Sequence, residues 1–344
     1  MLTITASFGV TTPTTRIFMR RRFVRIVAVE SFPPFLPKQV ENIKDADARK
    51  LASRIQRLPV NVSFAEKSIM SSCVAPSIGS KAASSPPLLL LHGFDSSCLE
   101  WRYTYPLLEE AGLEAWAVDV LGWGFSDLEI LQPCDVASKR EHLYQLWKSY
   151  IKRPVVLVGP SLGAAVAVDF AANHPDAVTA LVLIDASVYA EGTGNMAKLP
   201  RMVAYAGVNI LKSVPLRLYA NFLSFKDISL GTAIDGMKIG RLHCLYPWWE
   251  DATISFMIGG GYNVSPLIEK VKQRTLIIWG EEDQIISSTL ALKLQSEMSN
   301  STLRQIPKCG HLPHVEKPDS TAQLIVEFVG EASYREVECA SPQQ

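Results

Sequence analysis

The sequence predicts an α/β domain interrupted by a helical insertion, and three observations carry that expectation. Apolar runs at 154–158, 180–184 and 274–280 have the length and near-continuous hydrophobicity of strands buried on both faces. A helix-like stretch, 164–172, follows the first of them, as in a parallel sheet covered by helices. Between residues 188 and 271 the alternation stops and helical patterns take over, for example at 202–211.

The chain opens on a segment of separate character. Residues 1–29 hold seven Ser or Thr, five Arg (16, 20, 21, 22 and 25) and no acid before Glu30. That composition is expected of an organellar transit peptide and not of a secretory signal, because no long apolar core follows a basic start. The first fifteen residues are uncharged and rich in hydroxyls, which points to a plastid, with the mitochondrion as the alternative. A disordered basic tail has a similar composition. Residues 30–59 are expected to form a helical extension, from the pattern over 39–58. Segments 60–65 and 67–73 are expected to form an opening hairpin, and 77–87 a polar loop. The remainder divides into a first core part at 60–187, a cap or lid at 188–271, a second core part at 272–331 and a tail at 332–344.

Composition limits the function classes. At 344 residues with 48% hydrophobic and 20% charged content, the chain can bury one large domain plus an insertion. Balanced charge, 34 basic against 34 acidic residues, argues against nucleic acid as a main partner. The most apolar stretch, 155–172, is broken by a Gly-Pro-Ser-Leu-Gly turn, so no segment reads as membrane-spanning. Six cysteines without a C-x-x-C pair suggest neither a zinc site nor a disulfide framework.

That turn, Gly159-Pro-Ser-Leu-Gly163, is the most informative feature. It sits between a strand-like and a helix-like run, where a Ser on a sharp strand-to-helix turn projects its hydroxyl into a cleft. The helix then aims its N-terminal amides at the site where an oxyanion would develop. Ser161 is therefore the candidate nucleophile, and the rest of the chain can be searched for its partners.

The strand-like run 274–280 ends in Gly280 and is followed by Glu281, Glu282 and Asp283, placing a carboxylate on the same sheet edge as the serine. Asp283 is the candidate acid, in competition with Glu281, Glu282 and with Asp185, which ends the strand 180–184. After a further short strand, 301–306, the loop Cys309-Gly-His-Leu-Pro-His314 supplies His311 as the candidate base, with His314 as its rival. The order Ser161, Asp283, His311 is the Ser…acid…His order of this kind of sheet. Upstream, the run 88–91 enters His92-Gly93-Phe94. The small Gly93 lets the Phe94 amide face the nucleophile, so Phe94 and Leu162 N–H groups would form a two-donor oxyanion hole. His92 is read as a loop brace, and His142, His174 and His243 as ordinary core or surface residues.

With these pieces in place the chain resembles the α/β-hydrolase family over roughly residues 60–331. The resemblance rests on His92-Gly93-Phe94, on Asp119 with Gly122 and Gly124, on the Gly159–Gly163 turn, on Trp279-Gly280-Glu-Glu-Asp283, and on Gly310-His311 with Glu316 and Pro318. It implies an eight-stranded, mostly parallel sheet with helices on both faces and a variable cap after the sixth strand. Pro160 departs from the residues commoner before the nucleophile, but proline suits a negative φ.

The expected activity is a serine hydrolase acting on a carboxylic ester or thioester with a hydrophobic acyl or alcohol part, through an acyl-enzyme and without metal or organic cofactor. A serine nucleophile argues against the dehalogenase and epoxide-hydrolase chemistries of similar folds, which use Asp there. Two readings remain beside it: an acyltransferase using the same acyl-enzyme, and a slow-turnover ligand receptor or scaffold. Tyr246, Trp248, Trp249 and Phe256 are the candidate substrate-pocket residues in the cap, with the alternative that they form the cap's own core. The glycine run 259–261 is a candidate hinge. Peripheral membrane contact, where present, is expected through the cap. With a plastid address, the resemblance implies lipid, chlorophyll-related or phytyl esters as substrates.

Overall fold

A computed structural model describes residues 31–77 and 85–340. The transit-peptide segment 1–29 and part of the 77–87 loop lie outside the described residues. Eight strands form one sheet: β1 (Gln56–Val60), β2 (Ile69–Val74), β3 (Leu88–Leu90), β4 (Ala115–Val118), β5 (Val155–Pro160), β6 (Val178–Ile184), β7 (Arg274–Gly280) and β8 (Ser301–Ile306). Their spatial order is β1-β2-β4-β3-β5-β6-β7-β8. The β1–β2 and β2–β4 pairs are antiparallel and the rest parallel.

Side-chain alternation divides the core into two layers. Leu89, Leu157, Leu181 and Leu183 pack with the helices Val136–Leu146, Leu162–Asn173 and Thr289–Glu297. Their neighbours Leu88, Leu90, Val156, Val158 and Val182 pack with the helices Ala46–Ala52 and Thr104–Glu110 and with the start of the helix Pro318–Ala340. A strand buried on both faces must be apolar at every position, which is why these runs do not alternate in sequence.

Two local expectations need correcting. The helix expected across 39–58 is a short 3₁₀ turn, Lys38–Asn42, and the helix Ala46–Ala52, after which Gln56–Val60 becomes the edge strand. Pro59 explains the change: it forces Leu58 to be extended, and an edge strand tolerates the lost N–H. The hairpin accordingly pairs 56–60 with 69–73, not 60–65 with 67–73. At the other end the helix Pro318–Ala340 runs past residue 331, since no Gly or Pro follows Gly330 until Pro342.

Between β6 and β7 the described secondary structure is entirely helical. The cap is built chiefly from the helices Arg201–Leu211, Val214–Ser224, Leu230–Arg241 and Trp249–Ile258. It is also tied to the N-terminal segment, because the amides of Lys44 and Asp45 donate to the Asp235 carboxylate at 2.6–3.2 Å. The glycine run, a candidate hinge, lies where two chain segments pack closely. Thr193 N–H donates to Gly260 O at 2.8 Å, and a Cβ on Gly192 would stand 2.0 Å from that oxygen, so the run is a tight crossing of two chain segments.

Candidate active site

Ser161 sits between β5 and the helix Leu162–Asn173 with φ +49° and ψ −119°, a conformation a non-glycine residue adopts only under constraint. The constraint is visible. Its N–H donates to Ile184 O at 2.8 Å, and its carbonyl accepts from Ser187 N–H at 3.1 Å, locking the turn to the end of β6. The two flanking glycines follow from packing. A Cβ on Gly159 would lie 2.3 Å from the Gly163 backbone, and one on Gly163 would lie 2.7 Å from His92 O.

The loop after β3, which carries the candidate oxyanion donor Phe94, is braced by His92. Val120 N–H donates to Nε2 at 3.0 Å, so Nδ1 carries the hydrogen and donates to Gly93 O at 2.8 Å. In a trans peptide the N–H points opposite its carbonyl, so fixing Gly93 O fixes the Phe94 N–H direction. Gly93 is also where the loop meets Ser161, since an added Cβ would be 3.7 Å from Ser161 Cβ. Leu162 opens the helix, and its N–H therefore has no partner within it. Asp119 holds the neighbouring loop by accepting from Cys98 N–H (2.6 Å) and Phe125 N–H (2.8 Å).

Of the acids weighed from sequence, Asp283 is the one bonded to the histidine, with His311 Nδ1 to Asp283 Oδ2 at 2.8 Å. Its other oxygen accepts from Ile285 and Ile286 N–H at 2.7 and 3.0 Å. Burial would raise this carboxyl, but the His311 hydrogen bond and those amides outweigh it and hold it below the usual range. Glu282 instead pairs with Lys226. His314 faces away from this pair: its Nε2 meets Glu100 at 2.9 Å. Burial would likewise raise Glu100, yet His314 brings it down to about 2.

Ser161 and His311 both line a cavity of about 520 Å³. Its apolar wall comes from Phe94, Phe225, Met237, Ile239, Leu312 and Val315, and its roof from the cap helices Val214–Ser224 and Leu230–Arg241. The four cap aromatics expected to line it do not. Trp249 and Phe256 are almost fully enclosed. Phe256 packs on Trp123 at 5.1 Å and touches the cavity only through Phe94, which stands in front of it. Tyr246 stacks on Trp248 at 4.6 Å and donates to Phe35 O at 2.7 Å. Their bulk seats the cap on the core, which is the alternative reading of an aromatic-rich insert.

The alpha/beta hydrolase family model matches residues 88–324. This chain belongs to the α/β hydrolase family. It is 57% identical over 307 residues to the alpha/beta hydrolase domain-containing protein VTE7 of Arabidopsis thaliana, covering 89% of this chain and 92% of that one. It is 26% identical to the human monoacylglycerol lipase ABHD6 over 71% of this chain and 75% of the lipase. Among solved structures, a thermophilic esterase from Thermogutta terrifontis superposes with a TM-score of 0.65 at 22% identity, covering 80% of this chain and 98% of the esterase. At that identity the likeness is one of fold.

Sequence reasoning missed the residues that join cap to core. Asp95, directly after Phe94 and itself at φ +50°, accepts from three cap groups: Arg217 Nη2, His243 Nε2 at 2.8 Å and Trp249 Nε1 at 2.8 Å. Burial would lower His243, but Cys244 and the Asp95 bond lift it to about 9. On the other side, His311 N–H donates to Ser224 O at 2.7 Å. Glu316 accepts from Gly310 N–H at 2.7 Å and from Lys226 and Asp227 N–H at 3.0 and 3.1 Å. Glu316 stood in the sequence motif, but a partner 90 positions away leaves no trace in the sequence.

Proposed function

We propose that this chain is a serine hydrolase of carboxylic esters or thioesters with a hydrophobic acyl or alcohol part. The observation that carries the reading is the Asp283-bonded His311 facing the same mainly apolar cavity as the constrained Ser161. With Nδ1 tied to Asp283, the free Nε2 is the ring's base. It takes the Ser161 proton as the hydroxyl attacks the carbonyl, and Asp283 stabilises the imidazolium. The amides of Phe94 and Leu162 receive the oxyanion in a site where no solvent reorganisation is needed. His311 then protonates the leaving group, and water attacking the acyl-Ser161 completes the cycle. The similarity to a monoacylglycerol lipase supports this chemistry.

The plastid address rests on the composition of residues 1–29 and the similarity to a plant protein. Among the described residues no helix is long and apolar enough to cross a membrane. The cap does expose Met202, Ile210, Tyr219 and Leu230, which supports peripheral lipid contact through that surface.

The test compares the full chain with Ser161→Ala, using a fluorescent fluorophosphonate and p-nitrophenyl esters of graded chain length. Labelling and turnover confined to the wild type, with a preference for longer chains, is the expected result. Labelling without turnover assigns the acyltransferase or slow-turnover readings, and a folded wild type that does not label refutes the mechanism.

A further inference from the structure

Behind the Asp283–His311 pair stands a carboxyl that the mechanism above does not use. Asp185 directly follows β6, with its side chain fully enclosed. Its φ of +42° lies in the left-handed region, which a residue with a Cβ occupies only where the surroundings hold it there. Here its N–H donates to Ile278 O at 2.9 Å. Its Oδ1 accepts from Gly280 N–H at 3.0 Å, while Oδ2 has no hydrogen-bond partner. An oxygen of Asp185, an oxygen of Asp283 and a ring nitrogen of His311 lie within 4.8 Å of one another.

Two ionised carboxylates at that spacing, out of water, repel strongly, and an orphaned buried oxygen is costly. One hydrogen resolves both: a carboxylic acid has no charge to repel its neighbour, and its O–H turns the orphan into a donor. The groups facing Asp185 favour this state. Asp283 and Glu316 are acidic, Cys309 is a buried thiol, and the imidazole of His311 is already committed to Asp283. Burial first, and the charge of Asp283 second, lift the Asp185 carboxyl well above its ordinary range. Asp283 goes the other way, as described.

We propose that Asp185 is a positioning residue of the triad, its carboxylic acid donating a hydrogen bond to Asp283 and so fixing the carboxylate that orients His311. The inference rests on the serine-hydrolase reading. Asp185 does not line the cavity, so its effect falls on kcat and not on KM. An amide is an adequate replacement, because its oxygen can accept from Gly280 while its NH₂ donates to Asp283. An apolar residue is not.

The experiment compares Asp185→Asn and Asp185→Ala in the full chain, with Ser161→Ala as control. Ester kinetics are followed across pH, together with the proton NMR resonance of His311 Nδ1–H. Asp185→Asn is expected to keep kcat within about twofold and to leave the pH profile superimposable. Asp185→Ala is expected to lose roughly 10- to 100-fold in kcat, the scale of outer hydrogen-bond partners, with unchanged KM and a displaced resonance. A folded Asp185→Ala of full activity overturns the proposal. So does an Asp185→Asn that loses activity or shifts the profile by a unit, which would show a working ionised carboxylate. Should Asp185→Ala not fold, the Asn variant alone decides on that profile. Failure of the serine reading would appear separately, as activity surviving in Ser161→Ala, and the resonance would still report on the Asp185–Asp283 contact.

Discussion

Lys139 lies in the helix Val136–Leu146 with its ammonium almost fully enclosed. It donates to Leu121 O and sits 3.9 Å over the Trp123 ring. Trp123 packs edge-on against Phe94 at 5.2 Å, on the loop that follows β3. Burial holds the ammonium down, from 10.5 to about 8. A base whose folded pKa is depressed costs nothing above its unfolded value and costs the full amount once pH falls below its folded value. At about 1.4 kcal/mol per unit, that cost is about 3 kcal/mol at pH 7 and only about 1 kcal/mol at pH 9.5. Replacing Lys139 with Met keeps the stem and removes the titrating group. Relative to wild type, Lys139→Met should therefore gain about 2 kcal/mol of stability on going from pH 9.5 to pH 7. Urea unfolding followed by tryptophan fluorescence at both pH values measures the difference. A stability difference with the same sign and size at both would refute the assignment of a buried, charge-bearing lysine.

Three further outcomes follow from the site. Gly163→Ala must push its methyl into His92 O, 2.7 Å away, so fluorophosphonate labelling should fall by at least tenfold; labelling at the wild-type rate would mean the elbow yields easily. His243, lifted to about 9 by Cys244 and Asp95 against the pull of burial, contributes stability that is full below pH 6.5 and fades as pH rises through 9, by roughly 3 kcal/mol in all. Asp95→Asn should flatten that decline in thermal melts, and an unchanged slope would place the titration elsewhere. Met237→Trp, which narrows the cavity, should shift the ester preference to shorter chains, whereas Trp248→Ala should leave it alone; the reverse pattern would restore the cap aromatics as the pocket.

The parts legible in the sequence are those where the backbone itself dictates residue type. Gly159 and Gly163 are forced by collisions with the neighbouring helix and with His92, so the turn declares itself in five letters. Asp283 and His311 are legible because each follows a strand that ends at the same edge of the sheet. The cap was harder to read. Aromatic content foretells burial but not which wall is buried, and Trp249 faces Asp95, 154 residues away, instead of the cavity. The first strand was misread because helical periodicity ran through residues 39–58, while the decisive signal was the single Pro59. Asp185 was visible as a rival acid, but only its distance from Asp283 and its orphaned oxygen suggest what it does.

The two seams at Asp95 and Glu316 bear on how such an enzyme can diversify. Each joins the roof to one loop of the candidate site, so a roof grafted from a relative would have to supply donors for Asp95, an acceptor for His311 N–H and amides for Glu316. Within a single helix, Val214–Ser224, Arg217 and Ser224 serve the seams and also line the chamber, and Asn221 donates to Ala233 O, while Ala220 only faces the chamber. A change at Ala220 can retune which molecule fits without breaking a seam bond. The chamber can therefore change by point substitution at fewer positions than exchange of the whole roof requires.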